Sequence, residues 1–226
     1  MIGAADLAVL LVWGTAVGLD LVTGPQMMIA RPLVAGTVAG WLLGDAATGL
    51  LLGVLFELFQ YDVLPVGASR YPEYGPATVA AVAAAHGAAG TAGLALGALV
   101  GLATGVAGGA SLGLVRRLNT AAVRAAAPRL ESGDPRALAG LHAAGVARDG
   151  ARAAAVTALG LGLAWLARTL LAGTVVPPAL ALTAAAASGA ALAAAMSGTL
   201  RLVGRGPDVR WLAAGVLAGT LLVWLR

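Results

Sequence analysis

An all-α, polytopic integral membrane fold is predicted by three observations. Of the 226 residues, 60% are hydrophobic and only 11% are charged, against about 25% charged in soluble domains. Apolar stretches run through nearly the whole sequence, a pattern of membrane segments more than of one soluble core. Glycine recurs at four-residue intervals, which lines it up along one ridge of a helix and lets two backbones approach. The length suits one membrane domain over 1–226, with no separate soluble domain of ordinary size.

The first helix is expected over Leu7–Val22, interrupted only by Asp20, with a turn at Thr23-Gly24-Pro25. No basic residue precedes Arg31 and no cleavage pattern follows, so this segment reads as a retained helix and not a signal peptide. Two short apolar runs follow, Leu33–Leu43 and Ala46–Phe59, split by Gly44-Asp45. Each is shorter than the roughly 20 residues of a spanning helix. Broken or re-entrant helices lining a cavity have this form; one continuous helix is the alternative. Gln60–Pro76 is polar and rich in Pro and Gly, and reads as a loop at or near membrane depth. Ala77–Val115 carries no charge and holds two segments, breaking near His86-Gly87. Within it Gly93, Gly97, Gly101, Gly105, Gly109 and Gly113 form a ridge for a neighbouring helix or a partner subunit.

Residues 116–152 hold seven Arg and three acids, with a break at Ser132-Gly133-Asp134-Pro135. They predict two amphipathic helices, placed in the cytoplasm by their excess of Arg. Helices over Ala153–Leu171 and Val176–Leu200 would cross and return. The loop Arg201–Arg210, again Arg-rich, would lie on the same side. A last run, Trp211–Leu225, places Trp211 and Trp224 at opposite interfaces.

Several chemistries are excluded. Cysteine is absent, which removes disulfides, thiolate metal sites and phosphocysteine. Lysine is absent too, so there is no phosphate-binding Gly-x-x-x-x-Gly-Lys loop. A net charge of +4 does not argue for nucleic acid. His86 and His142 stand apart from clustered acids and make no metal site. His86 reads as a packing histidine, and His142 as a polar residue of the charged helices. Asp149 with Arg148 and Arg152 reads as a solvated or interfacial cluster. Glu57 is different. It closes the ridge Asp45, Gly49, Gly53, Glu57 inside an apolar run, where an acid costs roughly 2.5–3.5 kcal/mol on insertion scales and faces a bundle interior or a wet cavity.

Arg31-Pro32-Leu33, ten residues, Gly44-Asp45, two residues, Thr48-Gly49, then Gly53 and Glu57 resembles the IIC subunit of the mannose/fructose/sorbose family of phosphotransferase systems. Val66-Gly67-Ala68 and Pro72-Glu73 extend the similarity, and weaker likeness reaches Leu141-His142 and Arg201-Leu202. The stretch Gly24-Pro25-Gln26-Met27-Met28 is more apolar than the family pattern, and Glu73 stands where Asp is also familiar. The resemblance implies a multi-pass permease subunit of the bacterial cytoplasmic (inner) membrane, working with the membrane subunit IID. Cytoplasmic IIA and IIB relay phosphate from phosphoenolpyruvate to the emerging sugar. IIC itself would hold no catalytic residue, cofactor or metal, and an oligomeric assembly in the lipid bilayer is implied. Sugar hydroxyls would be bound by Glu57 first, then Glu73, Asp45 and Gln26, because carboxylate and amide oxygens accept hydrogen bonds from them. Arg31 would pair with Asp45 or cap carbonyls freed around Pro32. Pro32, Gly44, Gly49, Gly53 and Gly67 would be structural. Two other readings stay open: a membrane scaffold that transports nothing, and an ion- or proton-coupled carrier in which Glu57 titrates.

Overall fold

The computed structural model describes residues 2–63, 69–88, 90–171, 177–203, 210, 214–215 and 217–218. Among them are eight helices and no strand. They are α1 (Ala4–Asp20), α2 (Pro32–Leu42), α3 (Ala46–Gln60), α4 (Tyr74–Ala85), α5 (Gly90–Ala125), α6 (Ala127–Glu131), α7 (Pro135–Leu171) and α8 (Pro177–Val203). Gly67 and its neighbours, Gly206, Trp211 and Trp224 lie outside the described residues, so the expectations placed on them do too.

Among the described residues three helices are long and apolar enough to cross a membrane: Gly90–Ala125, Pro135–Leu170 and Pro177–Ser197. α2, α3 and α4 are apolar but too short. The expected break at Gly44-Asp45 is present, and its cause is local. Leu43 ends α2, Gly44 takes a φ of +76° that only glycine adopts freely, and Asp45 accepts a hydrogen bond from the Thr48 N–H at 3.0 Å to start α3. α2 and α3 then fold back on each other. A Cβ on Gly36 would stand 2.6 Å from the Gly49 carbonyl, and one on Gly53 2.9 Å from the Pro32 carbonyl. Both glycine ridges therefore serve the hairpin itself.

α4 is the centre. All twelve of its residues are buried, and after Tyr74 they are Gly, Pro, Ala, Thr and Val only. Side chains this small let α5 and α7 pack against it closely. Most of the α5 ridge meets other parts of this same chain. Gly97 faces Leu52 and the Ala81 carbonyl, Gly101 faces the Phe56 ring, and Gly109 faces the Tyr71 carbonyl, whereas nothing stands near Gly113. The break expected near His86 also appears, with Gly87 at φ +74°.

The charged stretch 116–152 is helical but does not form a separate pair. Its first half is the continuation of α5 and its second half the start of α7, with α6 and Ser132-Gly133-Asp134 as the corner. No Gly or Pro interrupts the chain between Arg116 and Ala125. Having no break to stop it, the helix runs on. Asp134 caps α7, accepting from the N–H groups of Arg136 (2.9 Å) and Ala137 (3.3 Å), with Pro135 as the first helical residue.

Candidate functional site

The hairpin base is built from Arg31, Pro32, Leu33 and Glu57. Pro32 opens α2 and needs no hydrogen-bond acceptor for its nitrogen. The next N–H, on Leu33, is satisfied from outside the helix: Glu57 on α3 accepts it through Oε2 at 3.1 Å. The other oxygen, Oε1, accepts from the Arg31 guanidinium. Glu57 thus caps the positive end of α2 as Asp45 caps that of α3. Arg31 pairs with Glu57 and not with Asp45, which stands about 18 Å away along α3 (twelve residues at 1.5 Å each). The Glu57 side chain is only 11% exposed, but that of Arg31 is 35% exposed, so the pair is reached from outside through the guanidinium. Tyr61, one turn beyond Glu57, lies with its ring 5.8 Å from the Arg31 guanidinium and is itself exposed.

Glu73 occupies a different place. It is fully buried and takes a two-pronged contact from Arg152, Nη1 to Oε2 and Nη2 to Oε1, the latter at 3.0 Å. Arg152 also donates from Nε to Asp149 at 2.7 Å, and the Thr23 hydroxyl donates to the second Asp149 oxygen. The backbone N–H of Glu73 donates to the Gly105 carbonyl at 2.9 Å. A Cβ on Gly108 would lie 2.8 Å from Oε2, so that glycine makes room for the carboxylate. This cluster ties together α1, α4, α5 and α7. Asp149 and Arg152 are therefore buried, not solvated; only their neighbour Arg148 turns aside, to the Asn119 side chain at 2.9 Å. Phe56, Phe59 and Tyr74, with ring centroids 5.9–6.1 Å apart, pack between the Glu57 and Glu73 sites.

Gln26 is exposed on the segment joining α1 to α2, which ends on Arg31. That segment is irregular: Gln26 and Met28 hold φ values of 54° and 65°. Asp20, the acid that interrupts the first apolar run, is buried beneath it. Its carboxylate accepts from the N–H of Met27 at 2.6 Å and of Ala30 at 3.2 Å. The four expected acceptors are thus dispersed. Glu57 pairs with Arg31, Gln26 lies exposed on the segment that leads to Arg31, Glu73 belongs to the buried cluster, and Asp45 to the far end of the hairpin. Sequence reasoning missed Asp20 and Arg152. The available signal was an ionisable residue at the edge of an apolar run, which needs a partner when buried. Among the described residues no three His, Cys, Asp or Glu side chains gather as metal ligands.

Comparison with known proteins agrees with this architecture. Residues 4–178 match the family described as the PTS system sorbose-specific IIC component. The sorbose-specific EIIC component of Klebsiella pneumoniae is 30% identical over 124 residues, 55% of this chain and 46% of that protein. That of Lacticaseibacillus casei is 31% identical over 72 residues, 32% of this chain and 26% of that protein. A putative N-acetylgalactosamine permease IIC component 2 of Escherichia coli K12 is 33% identical over 89 residues, 39% of this chain and 66% of that protein. The aligned part thus spans less than half the length of the two sorbose relatives. A solved structure described as a membrane protein shares the fold over 100% of this chain and 98% of its own, with a TM-score of 0.65 at 18% identity. The mannose transporter ManYZ, solved with microcin E492, shares it over 97% of this chain and 88% of its own, at 0.58 and 18%. With the family match running from residue 4 to residue 178, this chain belongs to the sorbose-specific IIC family of the phosphotransferase system.

Proposed function

We propose that this protein is the sugar-translocating IIC subunit of a phosphoenolpyruvate-dependent phosphotransferase system of the mannose/fructose/sorbose type. The observation that carries the reading is the α2–α3 hairpin. It consists of two helices too short to cross a bilayer, with a carboxylate at the base held against a helix N-terminus and a half-exposed guanidinium. Substrate sites of transporters are built from such discontinuous helices, whose termini face the bound molecule. Arg31 carries five N–H donors, of which Glu57 takes only part, and each Glu57 oxygen keeps a further acceptor position. Donors and acceptors side by side suit a hydroxyl-rich, uncharged sugar. Glu57 and Gln26 are the first contacts in this reading. Glu73 and Asp45 stand behind them, since each already holds a structural partner. The membrane partner is IID, IIA and IIB act from the cytoplasm, and the unit 1–226 works as one membrane domain of the bacterial inner membrane.

The test is sugar binding and phosphorylation by the reconstituted complex carrying Glu57→Gln or Glu57→Ala. Gln keeps an acceptor for the Leu33 N–H but loses the charge. Affinity is expected to fall about ten- to a hundredfold, the equivalent of roughly 1.5–3 kcal/mol for a charged hydrogen bond. Wild-type affinity in both variants moves the contact to Glu73. A wild-type complex that binds and phosphorylates no sugar favours the scaffold, and uptake without phosphorylation that collapses with the proton gradient favours the proton-coupled carrier.

A further inference from the structure

The segment between α1 and α2 holds two left-handed residues that are not glycine, Gln26 at φ 54° and Met28 at φ 65°. Such a conformation is disfavoured for L side chains and persists only where the surroundings impose it. The imposing group is Asp20. It is buried, is not salt-bridged to any described residue, and spends both oxygens on backbone N–H groups of this one segment, Met27 and Ala30. Two further bonds close the turn behind it, from the N–H groups of Thr23 (3.0 Å) and Gly24 (2.6 Å) to the Leu19 carbonyl. At the far end the Arg31 N–H donates to the Met28 carbonyl at 3.1 Å, and the Arg31 side chain reaches Glu57. A continuous set of contacts therefore runs from a buried carboxylate, through a strained backbone, to the guanidinium at the hairpin base.

We propose that Asp20 is the positioning residue of the sugar site: by fastening residues 24–31 it delivers Gln26 and Arg31 to the substrate in one fixed arrangement. The inference rests on the reading of Arg31, Glu57 and Gln26 as the sugar contacts. Asp20 itself, beneath the segment, touches no sugar. Unfastening the segment leaves the contacts chemically intact but correctly placed for only a fraction of the time. Apparent affinity falls by that fraction, and the rate at saturation does not.

The experiment is phosphoenolpyruvate-dependent phosphorylation of sorbose by the reconstituted complex, comparing wild type, Asp20→Asn and Glu57→Gln. Asparagine offers one acceptor and one NH2 group, so one of the two N–H groups must face a donor. Asp20→Asn should raise the sorbose concentration for half-maximal rate about tenfold with the maximal rate within about twofold. Adding Met28→Gly, which takes a positive φ without strain, should recover part of that loss. Wild-type concentration dependence in Asp20→Asn beside an impaired Glu57→Gln overturns the role of Asp20 alone. Wild-type behaviour in Glu57→Gln overturns the site reading instead. Should Asp20→Asn fail to fold, amide exchange in the wild-type complex decides. The Met27 and Ala30 amides should exchange more slowly once sorbose is added, and rates unchanged by saturating sorbose overturn the proposal.

Discussion

Arg152 divides its donors between two carboxylates, Glu73 and Asp149, with weaker contacts to the Ser111 hydroxyl and the Gly18 carbonyl, both at 3.4 Å. Removing one member of a buried ion pair costs about 3–5 kcal/mol, because the charge left behind has neither water nor a partner. Arg152→Met strands two acids and should lower thermal stability by an amount of that order. Combining it with Glu73→Gln and Asp149→Asn should return most of the loss. Melting curves followed by tryptophan fluorescence in detergent separate the two outcomes, and a single variant that melts with the wild type removes the cluster from the stability of the protein. Glu57 was legible as a special residue because an acid in mid-run has to find a partner somewhere. Its partner was not. Arg31 and Glu57 are 26 residues apart, and only the hairpin fold brings them together. Asp149 and Arg152 were misread for the opposite reason: they adjoin a stretch of exposed arginines, and nothing local marks the point where α7 passes into the interior.

Among the elements, the hairpin was the most readable, since its determinants are local: a glycine at the turn, an acid to cap the next helix, and small residues every fourth position. Gly44→Ala should cost about 1–2 kcal/mol from its left-handed backbone alone, with no steric clash, since nothing stands near a Cβ there. The ridge of α5 gives a sharper contrast. Gly101→Leu drives a side chain into the Phe56 ring, whereas Gly113→Leu meets open space. The first should give a protein that aggregates or melts early by size-exclusion and thermal scan, and the second a protein like wild type. The corner before α7 carries a pH dependence. The Arg129 guanidinium, at 2.7–3.0 Å, and then the Arg136 N–H hold the Asp134 carboxyl below the usual aspartate range. A depressed value means the cap is fully present above the ordinary aspartate pKa and is lost as pH falls through the folded one. Amides of Arg136 and Ala137, the two donors to Asp134, should therefore lose protection relative to their intrinsic exchange rate only at the acid end of a titration. The continuity of α5 and α7 through the charged stretch was not legible. The change of composition at Arg116 marks where the surroundings turn polar; an α-helix crosses such a boundary when nothing breaks it, as between Arg116 and Ala125, and α7 runs on even through Gly140, Gly145 and Gly150.

At the scale of the whole molecule, the Arg-rich corner at one end of α5 and α7 predicts an orientation, with that end in the cytoplasm. An engineered cysteine at Ser132 and another at Gly206 should both be labelled from the cytoplasm, since α7 and α8 are each long and apolar enough to cross between them. Labelling from opposite sides would mean that one of those helices does not cross. α7 also has a mechanical aspect. It is one continuous helix of 37 residues, about 55 Å long, and Arg152 bolts it to α1, α4 and α5 close to its midpoint. A rod clamped at its middle, and again towards its Leu171 end where Gly160 lies flush against Ala80 and Arg168 donates to the His86 carbonyl, is a strut. A push on the corner by a soluble partner would leave the Leu171 half of α7 in place. Spin labels at Arg136 and Leu170, each measured against one on α1, should then differ in response, the first shifting and the second holding its distance.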